Sequence, residues 1–326
     1  VAIPVLVVAG FLGSGKTSLL NHLLHAPDGP RIGVIVNDFG RVNIDAMAVA
    51  GQVDAMITLG NGCLCCAVDA SDLTEMLERL AVPGGPVDVI VIEASGLAEP
   101  PAMVRMVLAG DNPRLTYGGL IEVVDAAEFH DTRERHPQID KHLRYADLVL
   151  LNKVDRAEHP DELLDLVRHL TGGVPVVPTE HGRVDPRMLF DPVQRPRSGQ
   201  MSFDDLVEHD QHIHAGYDSL TYTTSTALHP VRFAQFLAER PDGLYRLKGY
   251  ADFGTDSRFG VQTVGGHIAV TEDRWPIDAR TTELVLIGAP LDTDTLTKAL
   301  RDTEEPDRAS ITTTDLASMT RHIAPN

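Results

Sequence analysis

Residues 10–17 read GFLGSGKT, and an apolar run, VLVVA at 5–9, leads straight into them. No other stretch constrains the fold as much. The spacing fits G-x-x-x-x-G-K-[ST], a loop that works only between a buried strand and the start of a helix. Gly10, Gly13 and Gly15 let backbone N–H groups converge on phosphate oxygens with no Cβ in the way. The following helix supplies unpaired amides and a favourable dipole. Its pattern, KTSLLNHLLH, places Leu19, Leu20, Leu23 and Leu24 on one face.

The rest of the first 192 residues repeats that strand-then-helix rhythm. Candidate strands are 4–10, 31–38, 54–59, 87–94, 117–126, 147–153 and 174–179, short and rich in Val, Ile and Leu. Continuous apolar runs of this kind suit strands buried on both faces of a parallel sheet. Helical patterns lie at 16–25, 70–81 and 160–171, the last opening on Pro160. The expectation is an α/β P-loop NTPase domain over 1–192, with a mostly parallel, doubly wound sheet. A polar stretch at 193–216 reads as a linker. From 217 the pattern becomes period-two, as in YDSLTYTTST, and predicts a smaller C-terminal α+β domain over 217–326. The tail beyond about 303 reads as polar and loosely ordered.

Composition excludes several partners. With 47 Asp and Glu against 28 Lys and Arg, the chain carries a net charge of −19. Such a surface repels phosphate backbones, so nucleic acid is not the expected partner. No run is long enough to span a bilayer, and the apolar start lacks a basic leader segment. All three cysteines, Cys63, Cys65 and Cys66, fall within NGCLCC. That crowding is not a disulfide framework and points to a reducing, cytoplasmic setting.

Ligand assignments follow from residue chemistry. The expected cofactor-binding set in the loop is Gly13, Ser14, Gly15, Lys16, Thr17 and Ser18. Lys16 would reach the β and γ phosphates, and the Thr17 hydroxyl would bind Mg²⁺. NKVD closes the strand at 147–151, bringing Asn152, Lys153 and Asp155 to the base. The Asp155 carboxylate can accept from guanine N1–H and its exocyclic amine. Adenine offers no such donor pair, so the expected nucleotide is GTP. Glu93, at the end of the strand 87–92, sits where an acid meets Mg²⁺ or its water. Asp38 follows another strand and could serve the γ-phosphate region. With Lys16 these two acids form the catalytic set, although a plain acidic strand end and a plain turn are the alternatives.

The cysteines suit a soft cation. Thiolates favour Zn²⁺ or Co²⁺, and metal lowers their pKa enough to ionise them near neutrality. Cys63, Cys65 and Cys66 can reach one ion only if the chain turns there, and Gly60, Asn61 and Gly62 permit it. Buried inert thiols or a redox pair are the competing readings.

Taken together, GFLGSGKT, NDFGRVNID, NGCLCC, IEASGLAEP and NKVD, in that order, resemble the CobW-type P-loop GTPases. These are metallochaperones akin to the urease and hydrogenase accessory GTPases. RLKGY, VQTVGG and ELVLIG extend the resemblance into the second domain. It implies GTP hydrolysis coupled to delivery of zinc or cobalt to a client metalloprotein, with self-association a further option for the second domain. Thr58, Asn37, Asp38 and Arg41 occupy the positions where the family carries acids, and only Asp38 keeps one, which argues against secondary carboxylate sites. His209, His212 and His214 in the linker, and His181 in TEHGRVD, read first as solvated residues and only second as ligands. A nucleotide-bound metal store or sensor without turnover is the alternative function, and a small-molecule kinase, which NKVD disfavours, is the third.

Overall fold

In a computed structural model the residues described are 2–26, 29–36, 55–58, 70–85, 87–94, 100–190, 217–275 and 280–323. Asp38, the three cysteines and His209, His212 and His214 lie outside them. The first unit runs β1 (Ile3–Ala9), α1 (Lys16–Leu24), β2 (Ile32–Val36), β3 (Ala55–Thr58), α2 (Ala70–Leu80), β4 (Val89–Glu93), α3 (Pro100–Leu108) and β5 (Leu115–Asp125). It continues with α4 (Phe129–Arg135), α5 (Ile139–Tyr145), β6 (Leu148–Asn152), α6 (Pro160–Thr171), β7 (Val176–Thr179) and α7 (Pro186–Leu189).

These strands form one sheet in the order β3-β2-β4-β1-β5-β6-β7. Every neighbouring pair is parallel. The alternation along β1 shows why the runs are apolar throughout. Leu6 and Val8 pack with Leu19, Leu20 and Leu23 of α1 on one face. Val5, Val7 and Ala9 pack on the other, with Leu73, Leu77 and Leu80 of α2 and Met103 of α3. A sheet buried on both faces cannot afford polar alternation.

The second unit comprises β8 (Asp218–Thr224), β9 (Ala227–Leu228), α8 (Pro230–Glu239), β10 (Leu244–Ala251), β11 (Ser257–Val264), β12 (His267–Arg274), β13 (Thr282–Gly288), α9 (Thr293–Arg301), β14 (Glu304–Glu305) and α10 (Thr313–Thr320). Its main sheet is antiparallel, in the order β12-β11-β10-β13-β8. Phe233, Phe236 and Leu237 of α8 and Leu296 and Leu300 of α9 bury its inner face with Phe253 and Phe259. Lys248, Tyr250 and Val285 stand exposed on the opposite face, with the Arg258 guanidinium 4.0 Å from the centre of the Tyr250 ring.

The tail departs from the sequence expectation. Residues 304–323 hold β14 and α10, and Ile323 bridges Val270 of β12. Met319 is fully buried in the second core, joined by Leu316 and Ile323. Thr312 and Asp315 close a reciprocal capping box that starts α10. Few apolar residues are needed when each is placed against an existing core, so composition under-reads such a segment.

The units meet near the N-terminal ends of β5 and β6. Asp147 accepts hydrogen bonds from Tyr117 Oη (2.5 Å) and the Leu120 amide (2.9 Å). Burial raises its carboxyl above the usual range, against the pull of those bonds. The β11–β12 turn presses onto it: Gly265, at φ +56, has no room for a side chain, because a Cβ would overlap Asp147 Oδ1. Tyr245 and Val264 of the second unit share the core of Leu6 and Ile121.

Candidate functional site

The site sits at the C-terminal end of β1, where a parallel sheet gathers its ligand-facing loops. Gly10, at φ +140, lets the chain turn under the Val123 carbonyl, which a Cβ would approach to 2.2 Å. Gly15 is the N-cap of α1 at φ 107, and the helix has neither a side-chain cap nor an acid in its first turn. Its leading amides and dipole therefore face the loop mouth, a setting that favours an anion.

Lys16 is nearly buried, and its ammonium donates to Gly10 O (2.9 Å) and Phe11 O (3.2 Å). The Thr17 hydroxyl donates to Glu93 Oε1 at 3.4 Å, across 76 residues of sequence. Glu93 ends β4, 3% exposed, in register with Val8. Two oxygens from separate elements thus converge beside the loop, a donor set of the hard type that Mg²⁺ takes. Ser14 is buried and Ser18 exposed, on the loop and the first turn of α1 respectively.

The NKVD residues divide their labour. Asn152, 1% exposed, donates through Nδ2 to Ser14 O (2.9 Å) and accepts at Oδ1 from the Gly182 amide (2.8 Å) and Thr179 Oγ1 (3.3 Å). In this arrangement it staples the phosphate loop to the loop after β7. Gly15 is constrained by the same staple, since a Cβ there would meet Asn152 Nδ2 at 2.2 Å. Lys153 adopts φ 62 and donates to Gly13 O (2.7 Å) and Asp125 Oδ2 (2.5 Å). Asp155 is exposed on the short 3₁₀ turn Val154–Arg156. His181 follows β7 at φ 55, exposed and next to the Gly182 that contacts Asn152.

Asn152→Ala is expected to cost about 2–4 kcal/mol, because it strips buried polar groups on two loops of their partner. Urea unfolding would measure the loss, with a parallel weakening of nucleotide affinity. An unchanged midpoint would show that the staple contributes nothing.

Sequence reasoning missed three participants. Asp125 anchors Lys153 and also accepts from the Ala127 amide at 3.0 Å. It ends a strand, so the logic that found Glu93 would have found it. Phe11 stacks on the rings of His136 and His142, with centroids 4.9 and 6.0 Å away. Glu122 is an acid inside the apolar run of β5, 1% exposed. Burial pushes its carboxyl up to about 8, with Lys16 pulling it back down.

A cavity of about 180 Å³ opens beside Phe11, Leu12 and Ser14, walled by Thr132 and Arg135 of α4. A larger one, about 550 Å³, lies between the units and touches Tyr117, His267 and Arg321. It contains none of the phosphate-loop residues, so size does not mark the chemistry here. Among the described residues no three metal-binding side chains converge, and no helix is long and apolar enough to cross a membrane.

A family model described as CobW/HypB/UreG, nucleotide-binding domain, matches residues 4–178. A second, the cobalamin synthesis protein CobW C-terminal domain, matches 217–304. The chain is 32% identical to the zinc chaperone CobW of a Sinorhizobium species, covering 88% of this chain and 92% of that protein. It is 29% identical to the zinc chaperone YjiA of Escherichia coli K12, covering 89% and 95% respectively. Among solved structures it is similar to the Zn(II)-bound YjiA GTPase from E. coli, at 25% identity and a TM-score of 0.46, covering 94% of this chain and all of that one.

Proposed function

The chain belongs to the CobW/HypB/UreG family, and from that premise we propose that it is a metal-binding GTPase coupling GTP binding and hydrolysis to delivery of zinc to a client protein. The observation that carries the reading is the Thr17–Glu93 approach beside a preformed phosphate loop, which is itself stitched to NKVD through Asn152 and Lys153. A phosphate loop with a hard-cation donor pair beside it suits a nucleotide bound together with Mg²⁺.

Each residue then has a task. Gly13, Ser14, Gly15 and Ser18 supply loop and helix amides to phosphate oxygens. Lys16 swings from the loop carbonyls to the β and γ phosphates and stabilises charge as the terminal bond breaks. Thr17 and Glu93 would hold Mg²⁺, which supplies further neutralisation of the phosphates when bound. Asp155 takes the guanine edge, on a turn fixed by Lys153 and Asp125. Positioning of the attacking water falls to Glu93 or Asp38. Cys63, Cys65 and Cys66 hold the cargo zinc, and three thiolates leave a coordination position from which an ion can be passed on. Cobalt suits the same ligands. The domain division at 192 and 217 is part of the proposal.

Cys65→Ala is expected to weaken zinc binding on the order of 10²-fold, read by competition with a chromophoric chelator. Repeating the titration with GDP or a non-hydrolysable GTP analogue tests the coupling. Equal zinc affinities in the two states would defeat delivery, and absent phosphate release would leave only a store or sensor.

A further inference from the structure

Glu122 has no task in the mechanism above. Its carboxyl is at mid-strand on β5, paired in register with Ala9 just before the phosphate loop. Nothing about sheet packing calls for an acid there, and the residues beside it, Ile121 and Val123, are apolar core. Oε1 lies 4.0 Å from His142 Nδ1, too far for a hydrogen bond, and buried Oε2 has no hydrogen-bond partner. The groups facing it are Lys16, from the start of α1, and His142, from α5. Beyond His142 come Phe11 and then His136. The carboxyl thus lies behind the loop, on the inner side of the residue whose ammonium must meet phosphate.

We propose that Glu122 is a positioning residue for Lys16, and that nucleotide capture takes up a proton onto its carboxyl. The argument is electrostatic. While Glu122 is ionised, it favours the inward Lys16 seen here, on Gly10 O and Phe11 O. Phosphates draw that ammonium outward and bring negative charge close to the loop. An ionised Glu122 would then be buried beside anions with its nearest cation gone, which is costly. Protonation removes the conflict: a proton leaves the buffer, binds one carboxylate oxygen, and no other bond changes. Burial already pushes this carboxyl up to about 8 in the free chain, and bound phosphate raises it further.

The inference rests on the nucleotide-binding reading. Linkage fixes the sign. The acid's pKa is higher in the complex, so affinity is full below the free-chain value and falls as pH rises through the window between the two values, by up to about tenfold per pH unit. A terminal phosphate titrates at about 6, lower and with the opposite effect on binding, so the windows separate.

The test is GDP affinity of the full chain from about pH 7 to 9.5, for the wild type and Glu122→Gln, with calorimetry in buffers of different ionisation heat. The wild type should lose at least about tenfold in affinity above pH 8 and take up protons there. Glu122→Gln should lack this loss and uptake at pH 8 to about 8.5, keeping only the change that ionisation of guanine N1–H imposes on both proteins near the top of the range. Identical profiles for the two proteins, or no proton uptake by the wild type, would overturn the proposal. The wild-type calorimetry at about pH 8–8.5, below the ionisation of guanine N1–H, decides by itself should the variant not fold. GDP binding to neither protein at any pH would instead overturn the nucleotide reading.

Discussion

Lys16→Ala should lower GTP hydrolysis by about 10²–10³-fold while the protein stays folded. The ammonium rests on the loop's own carbonyls, donating to Gly10 O and Phe11 O, while Lys153 holds the loop from outside at Gly13 O. Those contacts hold the side chain in the loop but do not hold the loop in the fold. That task falls to Asn152, through Ser14 O and Gly182 N, and to the fully buried run Val5–Val8. Removing the ammonium therefore removes charge stabilisation that grows as the phosphate bond breaks, and little packing. Single-turnover phosphate release would give the rate, and thermal melting by circular dichroism would show the fold retained. Turnover within about tenfold of wild type would mean another cation serves the phosphates.

The second large effect is in base selection. Asp155→Asn should weaken guanine nucleotides by about 10²-fold and leave adenine nucleotides where they were. Asp155 sits on a turn whose entry residue, Lys153, adopts φ 62 and is pinned at both Gly13 O and Asp125. That pinning sets where the carboxylate can reach. Two carboxylate oxygens accept from guanine N1–H and its amine, whereas an amide sets a donor against one of those donors. Xanthine, with an oxygen at that edge, should be the base that gains. Competition binding with GDP, XDP and ADP reads all three, and an unchanged guanine preference would move base recognition elsewhere in the chain.

How much of this was legible beforehand depends on range. The seven strands of the first unit were visible because a parallel sheet covered on both faces demands uninterrupted Val, Ile and Leu, as in VIVIE at β4. The phosphate loop and Glu93 were visible because strand-to-loop junctions carry them at fixed spacing. Short helices such as α4 and α5, seven residues each, were not. They hold too few turns for a 3.6-residue period to declare itself, and only Phe129, Ile139, His142 and Leu143 of the two are buried. The inward turn of Asn152 toward Ser14 was invisible for a different reason. Its partners are backbone groups, which leave no trace in side-chain pattern. Glu122 was passed over because one acid within an apolar strand looks like noise until its burial is known. Asp38 and the cysteines rest on sequence chemistry alone.

The seam between the units has a spatial consequence. Tyr245, Val264 and Gly265 dock at Gly119, midway along β5, and at Asp147, just before β6. The phosphate loop begins at Gly10, against Val123, four residues further along β5 and about 13 Å away at roughly 3.3 Å per residue. The second sheet is therefore anchored on the first by the Val264 and Ile287 end of the face whose other end exposes Tyr250 and Val285. Four residues of β5 are thus all that separate the seam from the turn that would carry the phosphates.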